Sequence, residues 1–161
     1  MERLNENKVW HLLYQVMDPE IPVVSVVEMG MIREVEINDD QVQVTMTPTF
    51  IGCPAVQVMQ SEIKSRLEEA GAQEVRVNIS HNPPWNSDWI RPEARQKLKE
   101  FGLAPPPRHN GDFEAALLEV VKCPYCGSSD TSLKNSFGST LCRAIFYCNA
   151  CQQPFEQFKP I

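Results

Sequence analysis

Gln41-Val42-Gln43-Val44-Thr45-Met46-Thr47-Pro48-Thr49-Phe50-Ile51-Gly52-Cys53-Pro54-Ala55 decides the reading of the N-terminal half. Polar and apolar residues alternate over 41–46, the period of a half-buried strand with Val42, Val44 and Met46 inward. Beyond the turn, Val56, Met59, Ile63, Leu67 and Ala70 recur at helical spacing, so a helix is expected over 54–70. Pro54 suits its first position, where no N–H is needed. Gly71 supplies the C-terminal stop. Cys53 therefore falls at or near the N-cap. Unpaired backbone N–H groups and the positive end of the helix dipole favour a thiolate there, and a lowered pKa is expected. A small buried, inert thiol is the other reading of the same position.

Upstream, Val9, Leu12, Leu13 and Val16 share one face of a helix expected over about 7–17. Asp18-Pro19-Glu20 ends it, since a residue before proline is pushed out of helical geometry. Asp18 and Glu20 read first as solvated turn residues. The apolar run Ile21–Gly30 lacks helical period and reads as extended chain or a short buried turn. Met31–Ile37 is a strand with Val35 and Ile37 inward, and Asn38-Asp39-Asp40 is a hairpin turn into the 41–46 strand. Downstream, Glu74–Ile79 is a third strand. Helix, strand, strand, helix, strand makes a two-layer α/β (α+β) domain, with helices on one face of a three-stranded mixed sheet. Right-handed crossover makes the third strand parallel to the second or to its neighbour.

The stretch 81–90 reads as loop. Its tryptophans, Trp85 and Trp89, either cap the core or form a contact surface. His81 reads as a hydrogen-bonded structural histidine. A short helix is expected over Pro92–Phe101, ended by Gly102. Ala104–Gly111, with three prolines, reads as an extended linker in which His109 is solvated. The expected division is thus 1–103, a linker over 104–111, and 112–161. The segment Asp112–Val121 is compatible with a short helix or a strand.

Cys123-Pro124-Tyr125-Cys126 and Cys148-Asn149-Ala150-Cys151 are two C-x-x-C turns separated by residues 127–147. Two thiolates at that spacing point at one ion, and two such turns make a tetrahedral four-sulfur site of the kind zinc prefers over iron. Thr131–Phe137 and Leu141–Tyr147 are the expected strands of the hairpin between them, turning at Gly138-Ser139. Four thiolates leave no open coordination position, so the expected role is structural. Cys142 is left over, as a core thiol or a stray reactive group.

Six cysteines with a polar N-terminus lacking an apolar h-region point to a reducing compartment, the cytoplasm, and to metal binding rather than disulfides. No apolar run has the length of a membrane span. The net charge is −6, and neither half of the chain is basic, which argues against the nucleic-acid role that many zinc ribbons have.

Asp18-Pro19-Glu20, Val27-Glu28-Met29-Gly30-Met31-Ile32 and Thr47–Pro54 resemble the sequence blocks of the MIP18 (DUF59) family, associated with iron–sulfur cluster assembly. Pro84–Ile90, Cys123–Gly127 and Phe137–Arg143 are similar to the family of D subunits of bacterial phenylacetyl-CoA epoxidase systems. Asn86-Ser87 departs from the Thr-Thr expected there. The resemblance implies the small α/β fold above and an accessory role in phenylacetate degradation. In such a system a di-iron monooxygenase component adds one oxygen atom of O₂ to the aromatic ring, and a flavin and iron–sulfur reductase supplies electrons. This chain has neither a carboxylate–histidine helix motif nor a Gly-rich dinucleotide fingerprint, so it resembles neither component.

What the resemblance implies is maturation of an iron–sulfur cluster or iron centre, with the oxygenase and reductase subunits as partners. Cys53 is then a transient cluster or iron ligand, with Asp18 and Glu20 as helpers, and Trp85, Asp88 and Trp89 as a partner surface. One thiolate cannot hold a cluster, so a homodimer pairing two Cys53 residues or a client thiol has to complete the site. The alternative is a structural zinc-binding component or adaptor that stabilises the oxygenase assembly. A thiol enzyme using Cys53 is a third reading, weakened because no histidine is placed by sequence to activate it.

Overall fold

The computed structural model describes residues 4–161. Met1, Glu2 and Arg3 of the polar start lie outside the described residues. The chain divides into two compact units, one up to Trp85 and the other Asn86–Ile161.

In the first unit, helix α1 (Glu6–Leu13) is capped by Asn5, whose side chain accepts the Lys8 N–H at 2.9 Å. It ends earlier than expected. The N–H groups of Gln15 and Val16 bond to the carbonyls three residues back, and Met17–Asp18 then forms strand β1. Strand β2 (Ile21–Ser25) pairs antiparallel with β1 across Asp18-Pro19-Glu20. Asp18 Oδ1 accepts the N–H groups of Glu20 and Ile21, a side-chain turn of the kind Asp favours. The following turn buries Glu28, which accepts the Ser25 N–H while Ser25 Oγ accepts the Glu28 N–H, so the buried carboxylate is satisfied.

Strands β3 (Ile32–Asn38) and β4 (Gln41–Met46) form the expected hairpin, with Asp39 at φ 53°. Helix α2 (Ala55–Glu69) leads to β5 (Glu74–Ile79), which lies parallel to β4. The sheet order is β3-β4-β5. Met59, Ile63 and Leu67 of α2 are buried, as are Val42, Val44 and Met46 of β4 and Val9 and Leu13 of α1. This is the expected mixed α/β layer arrangement. Its crossover leaves the β4–α2 turn, with Cys53, at the C-terminal end of β4.

In the second unit, a 3-10 turn (Ser87–Trp89) precedes helix α3 (Pro92–Phe101). Gly102 ends α3 at φ 91°. A Cβ there meets the Tyr125 hydroxyl at 3.0 Å, so both backbone and space call for glycine. Strand β6 (Leu103–Ala104), helix α4 (Phe113–Leu118), and strands β7 (Thr131–Asn135), β8 (Arg143–Cys148) and β9 (Pro154–Phe158) follow. The sheet order is β6-β9-β8-β7. The expected hairpin is present with shorter strands. Its partner β9 was not expected: Phe155 and Phe158, three residues apart, fall on opposite faces of the strand and give no alternating signature. Because β6 pairs with β9, residues 86–103 belong with the cysteine-bearing unit and not with the N-terminal one. Ser87 N–H donates to the Ile161 carbonyl at 2.9 Å, and Ile161 N–H to Ser87 Oγ at 3.0 Å, so the unit is clasped at its two ends.

Candidate metal centre and thiol turn

The first cysteine turn is folded by the Cys123 N–H bonding to the Ser128 carbonyl and the Gly127 N–H to the Cys123 carbonyl, each at 2.9 Å. The second follows β8, where the Cys148 N–H bonds to the Gln153 carbonyl and Gln152 takes φ 59°. Together they bring four sulfurs to within 4.8 Å of one another. Cys123 and Cys151 are 3.7 Å apart, and Cys126 and Cys148 3.6 Å. Four thiolates about 2.3 Å from a tetrahedral ion are about 3.8 Å from each other, so the donor set fits. Cys123 and Cys148 are buried against Ala104 and Phe155, and Phe155 stacks on Phe146 at 5.7 Å. This is a four-cysteine metal site.

The thiols also interact with one another. Cys148 is pushed down to about 7, first by the Cys151 N–H that donates to its sulfur. Cys151 is pushed up to about 12, first by burial and then by its neighbours' sulfurs. Only a cation at the centre makes all four thiolates favourable together.

Cys53 lies in a different setting. Helix α2 starts one residue later than expected, with Pro54 as its cap and no side-chain cap bond. Gly52 makes the preceding turn at φ 79°. Cys53 is half-buried. Its pKa is raised, which overturns the expected lowering. Burial is the largest cause. The backbone N–H groups of Ala55 and Val56 pull the other way, and the carboxylates of Glu20 and Asp18 add to the rise by repelling a thiolate. The folding of β1 onto β2 thus brings Asp18 and Glu20 within electrostatic reach of Cys53. The three do not form a ready ligand set. Among the described residues only the four ribbon cysteines are mutually close enough to hold an ion.

The tryptophan loop divides. Trp85 is 3% exposed and its Nε1–H donates to the Met29 carbonyl at 2.9 Å, so it caps the first unit's core and is not a partner surface. Trp89 is half-buried. Asp88 is engaged internally. Its carboxylate accepts the N–H groups of His109 and Asn110 at 3.0 and 2.8 Å. Burial alone raises the Asp88 pKa, but those two donors, with His109 and Arg95, bring it below the usual carboxylate value. Asn86 Oδ1 lies 2.8 Å from His109 Nε2. The 104–111 stretch is therefore held in place and His109 is not solvated, contrary to expectation. Sequence reading missed this net, whose signal is an Asn-x-Asp pair preceding a proline-rich segment. His81 is exposed rather than structural. Cys142 is buried, with its sulfur 3.0 Å from Thr140 Oγ1. Residues 113–118 resolve the open choice as helix.

No helix among the described residues is long and apolar enough to cross a membrane. Residues 6–80 match the family described as iron-sulfur cluster assembly protein, and residues 108–159 the PaaD zinc beta ribbon domain. Over 96% of its length and 93% of the relative's, the chain is 39% identical to an Escherichia coli protein provisionally named as the D subunit of 1,2-phenylacetyl-CoA epoxidase. It is 35% identical to an Fe-S protein maturation auxiliary factor of Porphyromonas gingivalis, over 58% of this chain and 90% of that one. A crystal structure of a DUF59 domain from Bacillus anthracis superposes with a TM-score of 0.54 at 33% identity, covering 58% of this chain and 90% of that one.

Proposed function

The chain belongs to the family of phenylacetyl-CoA epoxidase D subunits, and on that premise we propose that it is a non-catalytic accessory protein of such a system. In this reading it assists maturation of an iron–sulfur cluster or iron centre in the oxygenase or reductase subunits, its partners in the cytoplasm. Cys53 is the transient ligand of the cargo, with Asp18 and Glu20 as neighbouring oxygen donors. Zinc occupies the four-cysteine site in a structural role.

The observation that carries this reading is that Asp18 and Glu20, at the β1–β2 turn of the first unit, lie within electrostatic reach of Cys53. Carboxylates that disfavour a free thiolate favour a cation at the same place, because the bound cation cancels the repulsion. A thiol held neutral in the absence of cargo also resists oxidation, which follows thiolate character. Completion of a cluster needs further thiolates from a client or a second copy. The test is transfer of a cluster to the metal-free reductase, with wild type and with Cys53→Ala. Wild type transfers and the variant does not. Equal rates remove Cys53 from the mechanism.

A structural adaptor is the second reading, and the raised pKa of Cys53 is the observation that favours it. A buried neutral thiol is what an inert residue in that turn looks like. In that case Cys53→Ala leaves oxygenase activity intact, while Cys123→Ser or Cys151→Ser abolishes it through loss of the ribbon.

A further inference from the structure

A groove of about 390 Å³ lies within the second unit, between the Pro105–Pro107 segment and residues 119–124. Arg95, Lys99, Arg108 and Lys122 line it, with Glu119 as the single carboxylate. In a chain of net charge −6 this is a local inversion of sign. Among the described residues none of the four cations has a carboxylate within 4.0 Å. Arg95 donates to the carbonyls of Ile90, Ser87 and Pro106, and Arg108 to the carbonyl of Asp88. These neutral acceptors orient the guanidinium groups without pairing their charge directly with a carboxylate. Burial and repulsion by Arg108 lower the pKa of Arg95, and Asp88 offsets this only in part.

The rest of the lining selects among anions. No aromatic ring faces the groove, so a nucleobase has nothing to stack on. Three consecutive prolines form one wall, and proline has no N–H, so the backbone cradle that holds phosphates is missing on that side. The proline rings with Val120 and Val121 supply apolar surface between the cations. Charge alternating with apolar contact in a groove of this size suits an extended peptide bearing carboxylates and small apolar side chains.

We propose that this groove docks an acidic extended segment of a partner protein. The site uses none of the residues assigned to iron handling, so it stands or falls apart from the role of Cys53. Its wall includes Cys123 and Pro124, which ties its shape to the metal-loaded ribbon.

The experiment titrates metal-loaded full chain into a fluorescein-labelled peptide alternating glutamate and valine, read by anisotropy. Binding saturates and weakens as salt is raised, since rim charges are screened. A lysine–valine peptide of equal length does not bind. Reversing the three exposed cations (Lys99→Glu, Arg108→Glu, Lys122→Glu) weakens binding by roughly 30-fold or more. The milder Lys99→Gln/Lys122→Gln pair weakens it about five-fold, and it carries the test if the triple variant loses its metal or its thermal transition. Lys64→Glu, an equal charge change on α2, leaves binding unaltered. The proposal is overturned by absence of saturation, by equal loss in Lys64→Glu, or by inorganic tripolyphosphate binding more tightly than the peptide.

Discussion

In the ribbon, four sulfurs crowd to within 4.8 Å of one another, whereas Cys53 has two backbone N–H groups of its own turn and, from the separate β1–β2 turn, two carboxylates within electrostatic reach. The difference teaches how one chain sets cysteines in two electrostatic environments, one built for a cation and one that keeps a thiol neutral. The ribbon holds its thiols so close that they are favourable together only around a cation, so the cation becomes part of the fold. At Cys53, burial and the nearby carboxylates favour the neutral thiol over the thiolate.

Metal removal is the largest test of that contrast. Structural zinc in small domains is worth on the order of 10 kcal/mol. Chelation, or Cys148→Ala, is expected to abolish hydrogen-exchange protection in β7, β8 and β9 while β3, β4 and β5 keep theirs. Equal loss in both sheets breaks the comparison, because the first unit then depends on the ion as well. The next test asks how much of the second unit holds without metal. Asp88→Ala removes two charge-assisted hydrogen bonds and is expected to cost about 2 kcal/mol in a denaturant titration. The sign with pH follows from its lowered pKa. The contribution is present above the unfolded carboxylate pKa and is lost as pH falls through the folded value, so Asp88→Ala flattens the acid limb.

Trp85→Phe sharpens the assignment of that side chain to the first unit. It leaves the Met29 carbonyl without its donor and is expected to cost about 1 kcal/mol. Cys53→Ala is expected to change stability least at neutral pH, by about 1 kcal/mol or less, since the residue is only half-buried. Its effect has a definite pH course. A raised thiol pKa contributes stability in full below the ordinary thiol pKa, and that contribution is lost as pH rises through the folded value. Urea midpoints of wild type therefore fall at alkaline pH more than those of Cys53→Ala. Iodoacetamide labelling of Cys53 gives the same titration directly, with an apparent pKa above the ordinary thiol value.

Strands 41–46 and 74–79, helix 92–101 and the cysteine spacing were legible because each is set by its own residues. Alternation fixes the face of β4 and β5, Pro92 and Gly102 bound α3, and C-x-x-C places two sulfurs on one turn. What escaped depends on distant partners. Three prolines read as a linker until Asp88 is seen holding the N–H groups of His109 and Asn110. Leu103-Ala104 has no strand signature, and becomes β6 only because β9 lies beside it. The sign of the Cys53 shift failed for a related reason. Helix-end N–H groups can be anticipated from Gly52-Cys53-Pro54, but burial and the approach of Asp18 and Glu20 come from elsewhere in the fold.

The clasp between Ser87 and Ile161 closes the second unit across 74 positions of chain. In kinetic terms that is a late event. Closing so long a loop, relative to one the length of a hairpin turn, costs about 3 kcal/mol of chain entropy. The cysteine turns are local and form cheaply, and an ion joining them shortcuts much of the intervening chain. Metal capture is therefore expected to precede clasp closure on the folding path. Refolding of the second unit followed at varied zinc concentration tests this, and a rate independent of zinc overturns it.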